Sequence, residues 1–210
     1  ELDAAIMDGA TRRAGAVAGV TRTRNPVTLA RRVMERTRHV MLARDGADAF
    51  SRAQGLEQVA PGWFVTGEAR RALKRVRARG EFDGWPADVP APPRHMGTVG
   101  AVARDAAGNL AAATSTGGIT GKRWGRIGDA PVIGAGTYAD NRGCAVSATG
   151  SGEYFIRLGV AHEICARARL AGESLAQAAR TVVNGELRAL GGEGGVILMG
   201  RAGPGDWAFT

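Results

Sequence analysis

Hydroxyl side chains gather at the ends of short β-like runs in the second half of the chain: Thr98, Thr114, Ser115, Thr116, Thr120, Ser147, Thr149 and Ser151. Threonine favours strands for steric reasons, so no single one of these residues marks a site. Their neighbours say more. The segments "TSTGG" (114 to 118) and "ATGSG" (148 to 152) set hydroxyls beside glycines, where backbone N–H groups can approach a ligand and meet developing negative charge. A hydroxyl nucleophile also needs a base, and neither His nor Lys adjoins Thr98. One base is available within the residue itself. If the peptide bond between Gly97 and Thr98 were cut, the freed α-amine of Thr98 would lie next to its own hydroxyl. With a reference pKa of about 7.7 to 8.0, a useful fraction of such an amine is neutral near physiological pH. That is the N-terminal-amine form of an activated threonine. Gly97 leaves the preceding chain free to strain the bond, and the Pro-rich stretch "GWPADVPAPP" (84 to 93) lets the new ends separate.

Other chemistries find less support. His39, His95 and His162 are isolated, with no second ligand at a helical or hairpin spacing, so no metal site is assigned. Neither "GAGTYAD" nor "GTVGAV" supplies GxGxxG between a strand and a helix, and "ATGSGE" lacks the lysine of a P-loop. Cys144 and Cys165 fall in different expected elements and read as buried free thiols in a reducing cytoplasm. A net charge of +8 could signal an anionic partner. The arginines are scattered, however, and aromatics make up only 5% of the chain, so a solvated surface is expected rather than nucleic-acid binding. No apolar run is long enough to span a membrane. The chain begins at Glu1 without a basic-then-apolar leader, so no secretion signal is expected.

The elements that must position the hydroxyls divide at the Pro-rich linker, about 81 to 97. Before it, "LDAAIMDG" (2 to 9) and "AGAVAGV" (14 to 20) read as strands, the second small enough to pack closely on another layer. "NPVTLARRVMER" (25 to 36) reads as a helix with Asn25 as N-cap, Pro26 at its first position, and Leu29 and Val33 buried. A short strand "HVMLA" follows, then helices in 46 to 56 and 66 to 80, the latter stopped by Gly80. After the linker, "TVGAVARD", "NLAAATSTGG", "VIGAGTYADN" and "GCAVSATGSGE" are β-like runs, with "DAAGN" as the first hairpin connection. Two long helices are expected next, the second opened by a capping box of Ser174 and Gln177, and the final "GVILMGRAGPGDWAFT" returns to a hairpin. The pattern predicts an α+β chain of packed antiparallel sheets flanked by helices.

The ordered segments "GTVGAVARDAAGNLAAATSTGGITGKRWGRIGDAPVIGAGTYADN" and "CAVSATGSGE", with "ELDAAIMDG", "AGAVAGVTRTRNPVTLARRVME", "HVML" and "LGGEGG", resemble the plant-type asparaginase and isoaspartyl peptidase family of N-terminal nucleophile hydrolases. The resemblance covers nearly the whole chain. It implies a single αββα four-layer sandwich made of an α piece, 1 to 97, and a β piece, 98 to 210, produced by self-cleavage between Gly97 and Thr98. It also implies a dimer of such αβ pairs and a structural Na⁺ or K⁺, with no cofactor for catalysis. Thr98 is then the nucleophile acting on L-asparagine or a β-aspartyl peptide, and Thr116 the hydroxyl that assists it. Thr149 and Gly150 match the oxyanion hole. Arg126 and Asp129, in "GRIGD", together with Gly152, match the groups that hold the substrate's α-carboxylate and α-ammonium.

Some features depart from the family pattern. Members carry a first core strand, an "HGGAG"-like turn and an "NAGxG" segment before the point where this chain starts, and a further stretch after its last strands, so a truncated sequence is expected. Trp124, in "GKRWGR", stands where the family has a smaller residue, close to the substrate clamp. Glycosylasparaginases share "GRIGD" and "GAGxYAD" but place Asp directly before the nucleophile, where this chain has Gly97. An inactive homologue with a binding role is the remaining alternative.

Overall fold

Leu2–Asp8 and Ala14–Val20 form β1 and β2, an antiparallel pair as the apolar alternation predicts. The small residues of β2 have a packing reason: a side chain on Gly15 would fall 2.0 Å from the carbonyl oxygen of Ala30 in helix α1 (Pro26–Arg36). That helix buries Leu29, Ala30 and Val33 against the two strands. Asn25 stands at its N-cap, but its side chain makes no capping hydrogen bond, contrary to expectation; its ψ of 87° lies short of the extended region usual for caps. Strand β3 (Met41–Ala43) then joins β2 in parallel, so β2, α1 and β3 make a crossover rather than the antiparallel neighbour predicted. Helices α2 (Arg44–Ala53) and α3 (Gly67–Ala78) follow, with a 3₁₀ turn at Pro61–Phe64 between them.

This computed structural model describes residues 1–78 and 97–210. The Pro-rich linker up to 96, the helix stop at Gly80 and His95 lie outside the described residues.

Strands β4 (Thr98–Arg104) and β5 (Leu110–Thr116) make the expected hairpin, and β5 also pairs with β1, giving the order β3-β2-β1-β5-β4. Segments from both sides of the linker therefore share one sheet. A second sheet, β6 (Thr137–Ala139), β7 (Cys144–Gly150), β8 (Gly194–Gly200) and β9 (Asp206–Phe209), is antiparallel throughout. Of the two long helices expected before β8, the first is divided. Gly159, at φ 59°, separates α4 (Gly152–Leu158) from α5 (Val160–Ala166), because a left-handed residue cannot continue a right-handed helix. The other is α6 (Leu175–Arg180), which runs on into a π-helical segment, Thr181–Leu187. Ser174 accepts a hydrogen bond from the N–H of Gln177, which is one half of the predicted capping box.

Three apolar clusters hold these pieces. One lies between β1, β2 and helices α1 and α2; another sets Val146, Val196 and Leu198 against Phe155, Ile164 and Val182 of the later helices. The third joins the sheets face to face through Met7, Leu110, Ala112, Ala139 and Ala145. Cys144 and Cys165 correct the sequence reading: they form a disulfide, with Cα atoms 5.2 Å apart, and are not free thiols. The start of β7 meets α5 in the core, a proximity that a separation of 21 residues does not reveal, and the cytoplasmic expectation loses its basis in free thiols. No helix among the described residues is long and apolar enough to cross a membrane.

Candidate active site

The inward face of each central strand changes character along its length. In β5 the buried alternation runs Leu110, Ala112, Thr114, Thr116, from apolar to hydroxyl. Its partner β4 matches it pair for pair: Val102 opposite Ala112, Gly100 opposite Thr114, Thr98 opposite Thr116. On β7 the alternation is Ala145, Ser147, Thr149, beside the helix-facing Cys144, Val146 and Ala148. The apolar ends seal the sheets together, and the hydroxyl ends meet at one edge of that seam.

At the middle step the sheets approach very closely. Ser147 Oγ lies 2.7 Å from Thr114 Oγ1, and Thr137 Oγ1 lies within hydrogen-bond distance of both Thr114 Oγ1, at 2.7 Å, and the Ala130 carbonyl oxygen, at 2.9 Å. These three hydroxyls are buried and are satisfied by one another and by the Ala130 and Gly136 carbonyls. Gly100 is the counterpart that permits this, because a Cβ there would fall 2.0 Å from Ser147 Oγ.

One step further along lies the row that contains Thr98. Thr98 Oγ1 donates to Thr116 Oγ1 at 3.2 Å, and Thr116 Oγ1 also accepts from the Gly118 N–H at 3.0 Å. Directly opposed residues on neighbouring strands are close enough for this by geometry alone. Thr98 and Thr149 line the same cavity, of about 450 Å³, with Gly195, Trp207 and Phe209 along its other side. Gly97, immediately before β4, is exposed. While its bond to Thr98 is intact, the Thr98 nitrogen is an amide and provides no base.

The second group of expected residues sits where β7 hands over to α4. Gly150 ends β7, packed so closely on the Glu193 carbonyl and the Phe155 ring that a Cβ would meet them at 2.3 and 2.4 Å. Gly152 opens α4, and a Cβ there would lie 2.9 Å from Arg126 Nη2 and 3.0 Å from Asp129 Oδ1. Arg126, Asp129 and Gly152 are thus brought together. Asp129 is buried, and its Oδ2 has no hydrogen-bond partner among the described residues. Burial pushes its carboxyl up to about 6, against the pull of the Arg126 guanidinium. Arg126 already forks onto a carboxylate, with Nε and Nη2 each 2.9 Å from an oxygen of Glu153. A guanidinium beside a buried carboxyl with one unpartnered oxygen offers both charges that a zwitterionic head group needs, the substrate's carboxylate taking the place of Glu153 on the fork.

Sequence reasoning missed Glu153, Gly100 and the Ser147 seam. Glu153 directly follows Gly152, but its partner is 27 residues away, so only its adjacency to "GSG" could have drawn notice. Of the other hydroxyls, Ser115 alternates away from the row, Thr120 is exposed in a loop and Ser151 stands at the N-cap position of α4 without a side-chain capping bond. Trp124 is 85% exposed, with a φ of 49°. Among the described residues no group of three or more His, Cys, Asp or Glu could hold a metal ion.

Comparison with known proteins adds an independent line. A family model described as asparaginase matches residues 1–210. An isoaspartyl peptidase of Salmonella typhimurium is 51% identical over 207 residues, which cover 97% of this chain and 65% of that protein. An Escherichia coli isoaspartyl peptidase is likewise 51% identical, with 64% of its length covered. An isoaspartyl peptidase/L-asparaginase of Mus musculus is 43% identical over 207 residues, 99% of this chain and 61% of that protein. The chain thus spans somewhat less than two thirds of the length of these relatives.

Proposed function

The chain belongs to the asparaginase family, and from that premise we propose that it is a self-processed amidohydrolase that hydrolyses L-asparagine and removes β-aspartyl residues from peptides. The observation that carries this reading is the paired hydroxyl row: Thr98 bonded to Thr116, beside Thr149 in one cavity. Cleavage between Gly97 and Thr98 converts the Thr98 amide nitrogen into an amine, the base that the intact site lacks. That amine takes the proton of the Thr98 hydroxyl as its oxygen attacks the substrate's side-chain carbonyl carbon. Thr116 keeps the hydroxyl oriented. The Thr149 hydroxyl and the Gly150 N–H face the oxyanion that develops. The C–N bond then breaks, and the leaving ammonia or peptide amine carries away the proton held by the Thr98 amine. Water hydrolyses the resulting β-aspartyl ester by the same route in reverse, releasing aspartate and restoring Thr98. Arg126 holds the substrate's α-carboxylate and Asp129 its α-ammonium, with Gly152 leaving the space between them.

The layers fit an αββα sandwich, supported by the apolar cluster between the two sheets and by helices packed on both outer faces. Two such αβ pairs associating as a dimer belong to the same reading. The test is purification of the full chain. Two bands on a denaturing gel are expected, one beginning at Thr98 by terminal sequencing, together with release of ammonia from L-asparagine. Thr98→Ala should remain a single band and lose turnover. A chain that stays intact and still releases ammonia would sink the mechanism.

A further inference from the structure

Beside the hydroxyl row lies a pair of buried charges that the proposed reaction does not use. Asp3 stands opposite Thr116 across β1 and β5, so Thr98, Thr116 and Asp3 occupy one row over three strands. Asp3 is fully buried; its Oδ1 accepts from the Gly19 N–H at 2.7 Å, while Oδ2 has no hydrogen-bond partner among the described residues. Facing Oδ2 at 3.7 Å is the ammonium of Lys122, whose side chain is 10% exposed and whose Nζ is likewise without a hydrogen bond among the described residues. Glu1 approaches the same ammonium at 3.8 Å.

A buried ammonium is costly unless an opposite charge offsets it, so this placement needs a reason. The path of the lysine stem supplies one. Lys122 crosses directly over Gly118, where a Cβ would meet Lys122 Cδ at 3.0 Å and Nζ at 3.1 Å. Gly118 is the residue whose N–H donates to Thr116 Oγ1. A compact ammonium on a slim stem fits this gap, in a chain that otherwise uses arginine for almost all its positive charge.

We propose that Lys122, anchored on Asp3, is a positioning residue for the nucleophile: it clamps the turn at Gly118 so that the backbone N–H holds the Thr116 hydroxyl where it accepts from Thr98. This rests on the reading of Thr98 as the nucleophile. Lys122 does not line the cavity that holds Thr98 and Thr149, so its loss acts on turnover and on self-cleavage rather than on substrate affinity.

The test compares Lys122→Met, Asp3→Asn and the double variant with the wild-type chain, reading the rate of self-cleavage, kcat and KM for L-asparagine, and Tm. Removing Lys122 strands the buried Asp3, and removing Asp3 leaves Lys122 only the more exposed Glu1, whereas the double variant removes both charges and recovers folding stability. The expected result is a kcat lower by about ten- to a hundredfold in all three variants, the loss that a small misplacement of reacting groups brings. KM should stay within about twofold. The double variant should regain Tm but not kcat, and its readout stands even if either single variant fails to fold. Recovery of kcat along with Tm in the double variant would overturn the proposal, reducing the pair to a fold-stabilising contact. A rise in KM at unchanged kcat would overturn it as well. Wild-type protein that neither cleaves nor turns over would overturn the reading of Thr98 and this inference with it, whereas an active wild type with unaffected variants would overturn this inference alone.

Discussion

Among the groups of the candidate site, Asp129 departs furthest from the ordinary behaviour of its residue type. Its carboxyl is pushed up to about 6, chiefly because burial disfavours the charged form; Arg126 opposes this and Glu153 reinforces it. The folded chain therefore holds the Asp129 proton more tightly than the unfolded chain does. The stabilisation is fully present below the ordinary aspartate pKa and is lost as pH rises through about 6. Calorimetric Tm values measured from pH 4 to 7 should fall more steeply for the wild type than for Asp129→Asn, which has no proton to lose. Parallel slopes would show that the carboxyl titrates normally. A substrate ammonium would supply the partner that Oδ2 lacks, so the decline of kcat/KM for L-asparagine that protonation of the Thr98 amine already brings should steepen below about 6. At this scale the sequence was informative where neighbours in the chain carry the signal: the hydroxyls that stand beside glycines, Thr116 and Thr149, do come together with Thr98. It was silent where a role depends on a distant partner. Nothing near Asp3 announces Lys122, and nothing near Arg126 announces Glu153.

Strands and their registers convert those residues into a site. Because side chains alternate, the Thr98 to Thr116 pair is aligned by the step beneath it, Gly100 opposite Thr114, where Ser147 of the other sheet closes in. A methyl group at Gly100 would sit 2.0 Å from Ser147 Oγ and 2.9 Å from its Cβ, inside a buried and fully bonded hydroxyl cluster. Gly100→Ala should therefore lower stability by about 1 to 3 kcal/mol, the usual cost of overpacking, and slow self-cleavage by prising the sheets apart at the reactive end. Adding Ser147→Gly vacates that space, so the double variant should recover part of both, as read by thermal denaturation and by the time course of band conversion on a gel. If the second change brings no recovery, the contact does not set the spacing. Most strands were legible from alternation and turn residues, and α1 from its apolar spacing. The parallel β3, the helix break at Gly159 and the Cys144 to Cys165 disulfide were not, because each depends on which elements pack together rather than on local pattern.

Over the whole molecule, the proposed cleavage cuts the chain without cutting the sheet. Residues before Gly97 supply β1, β2 and β3, and residues from Thr98 onward supply β4 and β5, yet the order is β3-β2-β1-β5-β4. The seam between the two pieces is the β1 and β5 pair, a continuous antiparallel ladder from Asp3 opposite Thr116 to Asp8 opposite Ala111. Met7 of the first piece also lies in the apolar cluster with Leu110, Ala112, Ala139 and Ala145 of the second. Separating the pieces would expose that cluster and leave backbone groups of both strands unpaired, at a cost far above that of an ordinary surface contact. The two pieces should therefore elute together in one size-exclusion peak under native conditions, both bands present in equal amounts, and part only in denaturant. Separate elution of a folded piece 98 to 210 would mean that the β1 and β5 ladder does not hold the molecule together. Co-elution has a functional consequence too: in the row Thr98, Thr116, Asp3, the first two residues come from one piece and the third from the other, so neither piece alone carries the complete arrangement.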